Sequence, residues 1–190
     1  WVLAGLVVAQ FFGTSLWFSS SAALPSLIRA WGLSGSDAGL LVSAVQAGFI
    51  AGTLVFALTN LADRFPASRV FLCSALLGAG ANALFTFQAQ GLPAAMLYRF
   101  VTGVALAGIY PVGMKIVVSW APSIVGQTLG WLVGALTLGT AAPFLLAYVG
   151  AAMSWQAVPW QAVLIAASVM AVVDGVMVAL IGEGPHLVSA

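Results

Sequence analysis

Two apolar runs of roughly 20 residues each flank the stretch Thr59–Arg69, which gathers Asp63, Arg64 and Arg69 into one short turn. A turn with those charges has to sit in water, while runs of that length and apolarity match the hydrocarbon thickness of a bilayer. The alternation limits the fold to membrane-spanning helices, since backbone in lipid must satisfy its own hydrogen bonds. Composition agrees: 63% of residues are hydrophobic, 5% are charged and the mean hydropathy is +1.14, against about 25% charged residues in soluble domains. A net charge of +1 from scattered basic residues argues against nucleic acid as a partner. A lone Cys73 excludes a disulfide framework and a lone His186 leaves little for a metal cluster, so no metal or cofactor is expected. The chain opens on Trp1 rather than Met, and an N-terminal piece is expected to be missing. The opening run lacks a basic lead and is too long to read as a cleaved signal peptide.

The fold class that follows is an all-α membrane protein with six spans, at about 1–23, 38–58, 70–87, 94–120, 128–149 and 161–181, forming one domain over 1–190. A loop is predicted from Pro25 to Asp37, with Asp37 placed to cap the second helix. Gly48 and Gly52 form a Gly-x-x-x-Gly that either admits a neighbouring helix or reflects how common glycine is in membrane helices. Trp155 and Trp160 are placed at the membrane interface. Six spans put both termini on one side. Arg64, Arg69 and Lys115 fall on that side against Arg29 and Arg99 on the other, which favours cytoplasmic termini.

Several side chains stand out as polar groups inside apolar spans. Gln10, Thr14 and Trp17 recur at helical spacing on one face of the first span, as a polar wall of a solute path or as interhelical glue. In the fourth span, Arg99, Gly103 and Tyr110 share a face, and Gly108, Pro111 and Lys115 share nearly the opposite one. The two cations can line one cavity only if the helix bends, and Gly108 with Pro111 is the place for a bend. A charge at a span centre costs ~2.5–3.5 kcal/mol on insertion scales, so Arg99 is either functional or an interfacial anchor. Lys115 and Asp174 lie at comparable depth and are expected to neutralise one another, or Lys115 faces the cavity while Asp174 finds another partner.

An internal comparison adds a repeat. A shift of 91 residues lays Gly39, Leu41, Val42, Ala44, Gly48, Ala51 and Leu54 on Gly130, Leu132, Val133, Ala135, Gly139, Ala142 and Leu145. A repeat of three spans must reverse direction across the membrane, giving two inverted three-helix repeats, the architecture of secondary transporters that rock about a midplane site.

The run Asn60-Leu61-Ala62-Asp63-Arg64, closed by Arg69, resembles the loop between the second and third helices of the major facilitator superfamily. Its pattern there is Gly-x-Leu-Ala-Asp-Arg-x-Gly-Arg-Arg. Here Pro66 replaces the second glycine and Ala67 and Ser68 the basic pair. Arg99 followed by Gly103, Gly108 and Pro111 resembles the fourth-helix pattern of the same superfamily. The resemblance implies the N-terminal six-helix half of a twelve-helix transporter. Its first and fourth helices line the cavity, its second and fifth flank the facing half, and its third and sixth face lipid. It implies a gating role for the loop of Asp63, Arg64 and Arg69, with Asp63 latching one alternating state; the alternative is a solvated stop for the helix.

The expected function is secondary active transport of a small solute by alternating access, proton-coupled or facilitative, with Gln10, Thr14, Trp17, Arg99, Tyr110 and Lys115 along the solute or proton path and Asp174 as a buried charge. The partners are the solute, the lipid bilayer and a second six-helix half, from the same longer chain or from a second copy. The expected location is a bacterial inner membrane. A structural or sensory membrane module is the alternative. An enzyme is not expected, because the sequence shows no Ser-His pairing, no metal-ligand cluster and no phosphate-binding glycine loop. The cations of the fourth span hint at an anionic or polar solute.

Overall fold

A computed structural model of the chain describes residues 1–152 and 159–187, with side chains for 1–149 and 159–187. It is a bundle of α-helices: α1 Val2–Trp31, α2 Gly35–Thr59, α3 Leu61–Arg64, α4 Ala67–Gln88, α5 Leu92–Ala107, α6 Tyr110–Trp120, α7 Val125–Ala152 and α8 Trp160–Ile181, with a 3-10 turn at Pro122–Ile124. Taking α5 and α6 as one span, six helical stretches among the described residues are long and apolar enough to cross a membrane. Trp155 lies outside the described residues.

Two boundaries differ from the sequence reading. The predicted loop at Pro25–Asp37 is mostly helix, because α1 carries Pro25 inside it and runs to Trp31. Proline costs the helix one hydrogen bond, but the extra turns bury Leu27 and place Trp31 against Phe85 and Trp160 at ring distances of 5.9 and 5.5 Å. Packing therefore outweighs the local breaker, and α1 stops only at Gly32, whose left-handed φ of 64° suits glycine. The cap of α2 is Ser34, not Asp37; the Ser34 hydroxyl accepts the Asp37 amide and the Asp37 carboxylate accepts the Ser34 amide, a reciprocal capping box. Trp160, the first residue of α8, is buried in the cluster with Trp31 and Phe85.

The expected bend is present. The fourth span breaks at Gly108 and Ile109, whose amides donate to the carbonyls of Ala105 and Leu106, and the helix resumes at Tyr110 with Pro111 in its first turn. Proline has no amide to lose there, so the break sits one turn ahead of it.

In lipid the apolar surfaces of helices gain little by meeting one another, and close packing with polar bonds holds a bundle together. The seam between α2 and α5 shows how. A Cβ at Gly48 would run into the Phe100 carbonyl, one at Gly103 into the Val45 carbonyl, and one at Gly52 into the backbone of Val104. The Gly-x-x-x-Gly is thus a contact surface. Its repeat counterpart Gly139 does the same in α7, where a Cβ would strike the Phe11 carbonyl and the Thr14 hydroxyl of α1. The helix pairings follow the same exchange: α2 packs on α5 and α7 on α1; α4 packs on α5 and α8 on α1; α4 and α8 meet each other. Swapping the first three spans for the last three maps each pairing onto another, the arrangement of two inverted repeats.

Gly48→Val is expected to lower bundle stability by about 1–3 kcal/mol through overpacking, whereas Gly39→Ala, whose Cβ would stand in open space, is expected to be neutral or slightly stabilising. Thermal unfolding of the two variants in detergent measures the difference.

Candidate functional site

At the centre of the bundle is Arg99, fully buried and without a carboxylate partner. Its guanidinium donates to the carbonyls of Leu16 and Trp17 at 3.1 and 2.6 Å, to the Ser19 hydroxyl at 3.2 Å and to the Asn82 side-chain oxygen at 3.3 Å. Asn82 in turn donates its amide to the Leu164 carbonyl and the Ser168 hydroxyl. One guanidinium and one carboxamide thus join α1, α4, α5 and α8. This corrects the reading of Arg99 as an interfacial anchor, since a side chain with no exposed surface does not snorkel.

One end of the bundle collects the charges. There the Lys115 ammonium meets the Asp63 carboxylate at 2.5 Å and the Ala62 carbonyl at 2.7 Å. The Glu183 carboxylate accepts the amide and hydroxyl of Ser68, capping α4, and Trp120 donates its indole N–H to the Gly182 carbonyl. Gly5 and Ile181 meet at this same end, so α1 begins where α8 finishes. Arg64 is exposed on α3, and Arg69 is exposed on the first turn of α4 beside an apolar groove that includes Phe56 and Phe65.

The expected pairing of Lys115 with Asp174 is not formed. Lys115 turns outward to Asp63, whereas Asp174 is fully buried against Gly13 of α1 with no hydrogen-bond partner for either oxygen. Equal depth along two helices did not bring the side chains together, because the break at Gly108–Ile109 resets the faces of the span. Nor does Lys115 face a cavity shared with Arg99; it lies beside His186 and Leu187 of the tail.

A pocket of about 350 Å³ lies between the repeats, walled by α1 and α2 from the first and by α6 and α7 from the second. The rings of Trp17, Phe18, Phe49 and Tyr110 line it, with the Gln46 carboxamide and the hydroxyls of Thr137 and Thr140 as polar groups. The rings of Trp17 and Phe49 pack in a tilted pair, 4.7 Å apart with their planes at 50°. These residues sit near the middles of their spans, where transporters of inverted-repeat type hold their solutes. Of the polar stripe on α1, only Trp17 reaches the pocket. Thr14 is buried and donates to the Gln10 and Leu136 carbonyls, and Gln10 is buried against Gly113. Sequence reading picked out Trp17 and Tyr110 but missed Phe18, Gln46, Phe49, Thr137 and Thr140. The repeat carried a signal for four of them, because the 91-residue shift sets Gln46 on Thr137 and Phe49 on Thr140; Phe18 had none. Among the described residues no group of three His, Cys, Asp or Glu side chains is placed to hold a metal.

A six-helix membrane bundle of two inverted repeats with a pocket between them defines the class as the transporter type. The family model described as Major Facilitator Superfamily matches residues 6–188, and the chain belongs to that family. It is 33% identical over 148 residues to the uncharacterized transporter YgaY of Escherichia coli, a match covering 73% of this chain and 35% of that protein. It is 31% identical over 123 residues to the niacin transporter NiaP of Acinetobacter baylyi, covering 60% of this chain and 27% of that one. Its fold is similar to that of the xylose transporter XylE from E. coli in an inward-open conformation, with a TM-score of 0.78 at 16% identity over 98% of this chain and 49% of that one. A XylE structure bound to 6-bromo-6-deoxy-D-glucose gives 0.77 over 97% and 45%. The match therefore spans about a quarter to a half of the proteins the chain resembles.

Because Lys115 and Asp174 do not touch, the double variant Lys115→Ala/Asp174→Asn is expected to change unfolding stability by the sum of the single effects within ~0.3–0.5 kcal/mol. Arg99→Met is expected to destabilise the bundle by about 1–3 kcal/mol for each acceptor it orphans, measured by thermal unfolding in detergent.

Proposed function

We propose that this chain is the N-terminal half of a secondary active transporter that moves a small solute by alternating access, and that the solute rests against the Trp17–Tyr110 pocket while a second six-helix half closes over it. The observation that carries this reading is the pocket itself, built from both repeats at mid-span with rings and hydrogen-bonding groups converging on it. The least buried spans support it as well: 28% of the apolar window is buried in α2 and 22% in the α7 span, against 39–61% in the others. These two helices border the pocket, and their bare faces suit a second half. Whether that half comes from a longer chain or from a second copy, α2 and α7 are where it docks.

The charges at the terminal end favour a cytoplasmic location for it. Arg64, Arg69 and Lys115 count there, and with Arg99 inside the bundle only Arg29 remains opposite. A bacterial inner membrane is the corresponding location. Asp63 serves as the latch of one alternating state, held in place by Lys115.

The pocket's chemistry sets the solute class. Arg99 and Lys115 are both committed elsewhere, so the hint of an anionic solute from the fourth-span cations loses its basis. Four rings beside one amide and two hydroxyls fit a flat, ring-shaped solute with hydrogen-bonding groups on its edge. The relative named as a niacin transporter is in keeping with a small heteroaromatic.

In the full-length transporter reconstituted in vesicles, Trp17→Ala is expected to weaken solute binding by about 0.5–1.5 kcal/mol, roughly two- to tenfold. A flat heteroaromatic should outcompete a linear polyol of similar size, and unchanged binding with no preference between them would remove the reading. Asp63→Asn should slow uptake several-fold while costing no more than the ~0.2–1 kcal/mol of a surface ion pair in stability; uptake at the normal rate would end the latch role.

A further inference from the structure

Asp174 is a charged residue type at mid-bundle that neither the pocket nor the latch uses. It is fully buried, and neither carboxylate oxygen has a hydrogen-bond partner. The chain makes room for it: a Cβ on Gly13 of α1 would land on the carboxylate, and the same position is closed by the Ile109 side chain from the α5–α6 break. On the next residue of α8, a Cβ on Gly175 would press on Ala75 and Leu72 of α4. One turn earlier on α1, Gln10 is also buried with both polar side-chain atoms unpaired, and its oxygen lies where a Cβ on Gly113 of α6 would stand. Since α6 runs from Ile109 toward Lys115, Gln10 is one rung nearer than Asp174 to the end that carries Lys115 and Asp63.

The charged groups on the elements around Asp174 are all placed elsewhere. On α1, Arg29 is exposed near the end remote from Asp63. On α4, Arg69 is exposed beside the Phe56–Phe65 groove. On α5, Arg99 is held by α1 and Asn82. On α6, Lys115 is held by Asp63. The α7 sequence carries no Asp, Glu, Lys or Arg. A bare carboxylate without cation or donor in such a place costs far more than a protein recovers by packing, and such groups neutralise instead. An aspartate that served packing alone would gain nothing over asparagine, which is why an ionisable residue inside a membrane bundle points to function.

We propose that Asp174 is the proton-binding site of this transporter, loaded while α1, the α5–α6 break and α8 are closed on one another. When the break at Gly108–Ile109 opens and water reaches the carboxyl past Gln10, the carboxyl O–H bond breaks, the proton passes to a water molecule and a carboxylate remains. Reclosure requires a proton back from water, which ties the packing of α1 on α8 to the proton gradient. This rests on the transport reading above and names proton coupling rather than facilitated diffusion.

The test uses the full-length transporter and Asp174→Asn, a neutral shape mimic of the protonated acid. Infrared spectra at neutral pH are expected to contain the carbonyl stretch of a protonated carboxylic acid that Asp174→Asn removes, with the variant as heat-stable as the parent. In vesicles, Asp174→Asn is expected to keep solute exchange across the membrane but to lose accumulation driven by a pH gradient, its inside-to-outside ratio falling to unity. The proposal is overturned if no such band depends on Asp174, if Asp174→Asn unfolds at neutral pH, or if it still accumulates solute against a gradient. Accumulation by the parent that follows a sodium gradient without a pH gradient overturns it in favour of a metal cation. If the parent moves no solute at all, the transport reading fails by itself, while the infrared band still decides whether Asp174 holds the proton.

Discussion

The bundle depends on a guanidinium buried where no carboxylate meets it. A cation in so dry a place needs acceptors, and the carbonyls of Leu16 and Trp17, the Ser19 hydroxyl and the Asn82 oxygen supply them to its two terminal nitrogens, leaving Nε without one among the described residues. Arginine suits this task because its planar fork reaches several acceptors at once, which a lysine ammonium on a single stem would not match. Three of these acceptors lie on one turn of α1 and the fourth on α4, so Arg99 fixes α5 against α1 and α4, and Asn82 carries the constraint on to α8. Helices that slide freely in lipid for want of a hydrophobic drive are thereby held in one register.

Glycine does the complementary work along the two seams. Where α2 meets α5 and α7 meets α1, backbone lies on backbone at Gly48, Gly103 and Gly139. Such contacts draw the inner pairs together and leave the opposite faces of α2 and α7 uncovered. The pocket forms along the border of those faces, so the packing that stabilises the half also leaves the pocket open on that side. The tail and the Asp63–Lys115 pair close the charged end, where the Glu183 carboxylate caps α4 in the place that the family pattern gives to basic residues.

Much of the fold was legible in the sequence because the bilayer imposes it. Span lengths, the interruption near Gly108 and the inverted repeat follow from hydrocarbon thickness, proline chemistry and an odd number of crossings. What failed was local reasoning about contacts across helices. Pro25 read as a stop, but the apolar residues after it had a cluster to join. Lys115 and Asp174 matched in depth, but depth says nothing of azimuth, and the broken span turned Lys115 toward Asp63. The depth of Arg99 along its helix did not reveal that α1 and α4 supply its acceptors. In the pocket, Trp17 and Tyr110 were visible as aromatic or polar interruptions, whereas Phe49 and Phe18 were hidden in a composition already rich in apolar residues; the repeat distinguishes Phe49, which it sets on Thr140, but not Phe18.

Gln46 and Thr137 line one pocket although they lie in different three-helix units, and the proposed solute site requires both to face one aqueous space. The direct measurement is thiol labelling of Gln46→Cys and Thr137→Cys in the full-length transporter, with the exposed native Cys73 replaced by serine. Both cysteines should react with a water-soluble, membrane-impermeant reagent, and a transported ring-shaped solute should protect both with the same concentration dependence. Two cysteines that stay unreactive in every transport condition, or that react without protection by any solute the protein moves, would contradict a pocket between the repeats.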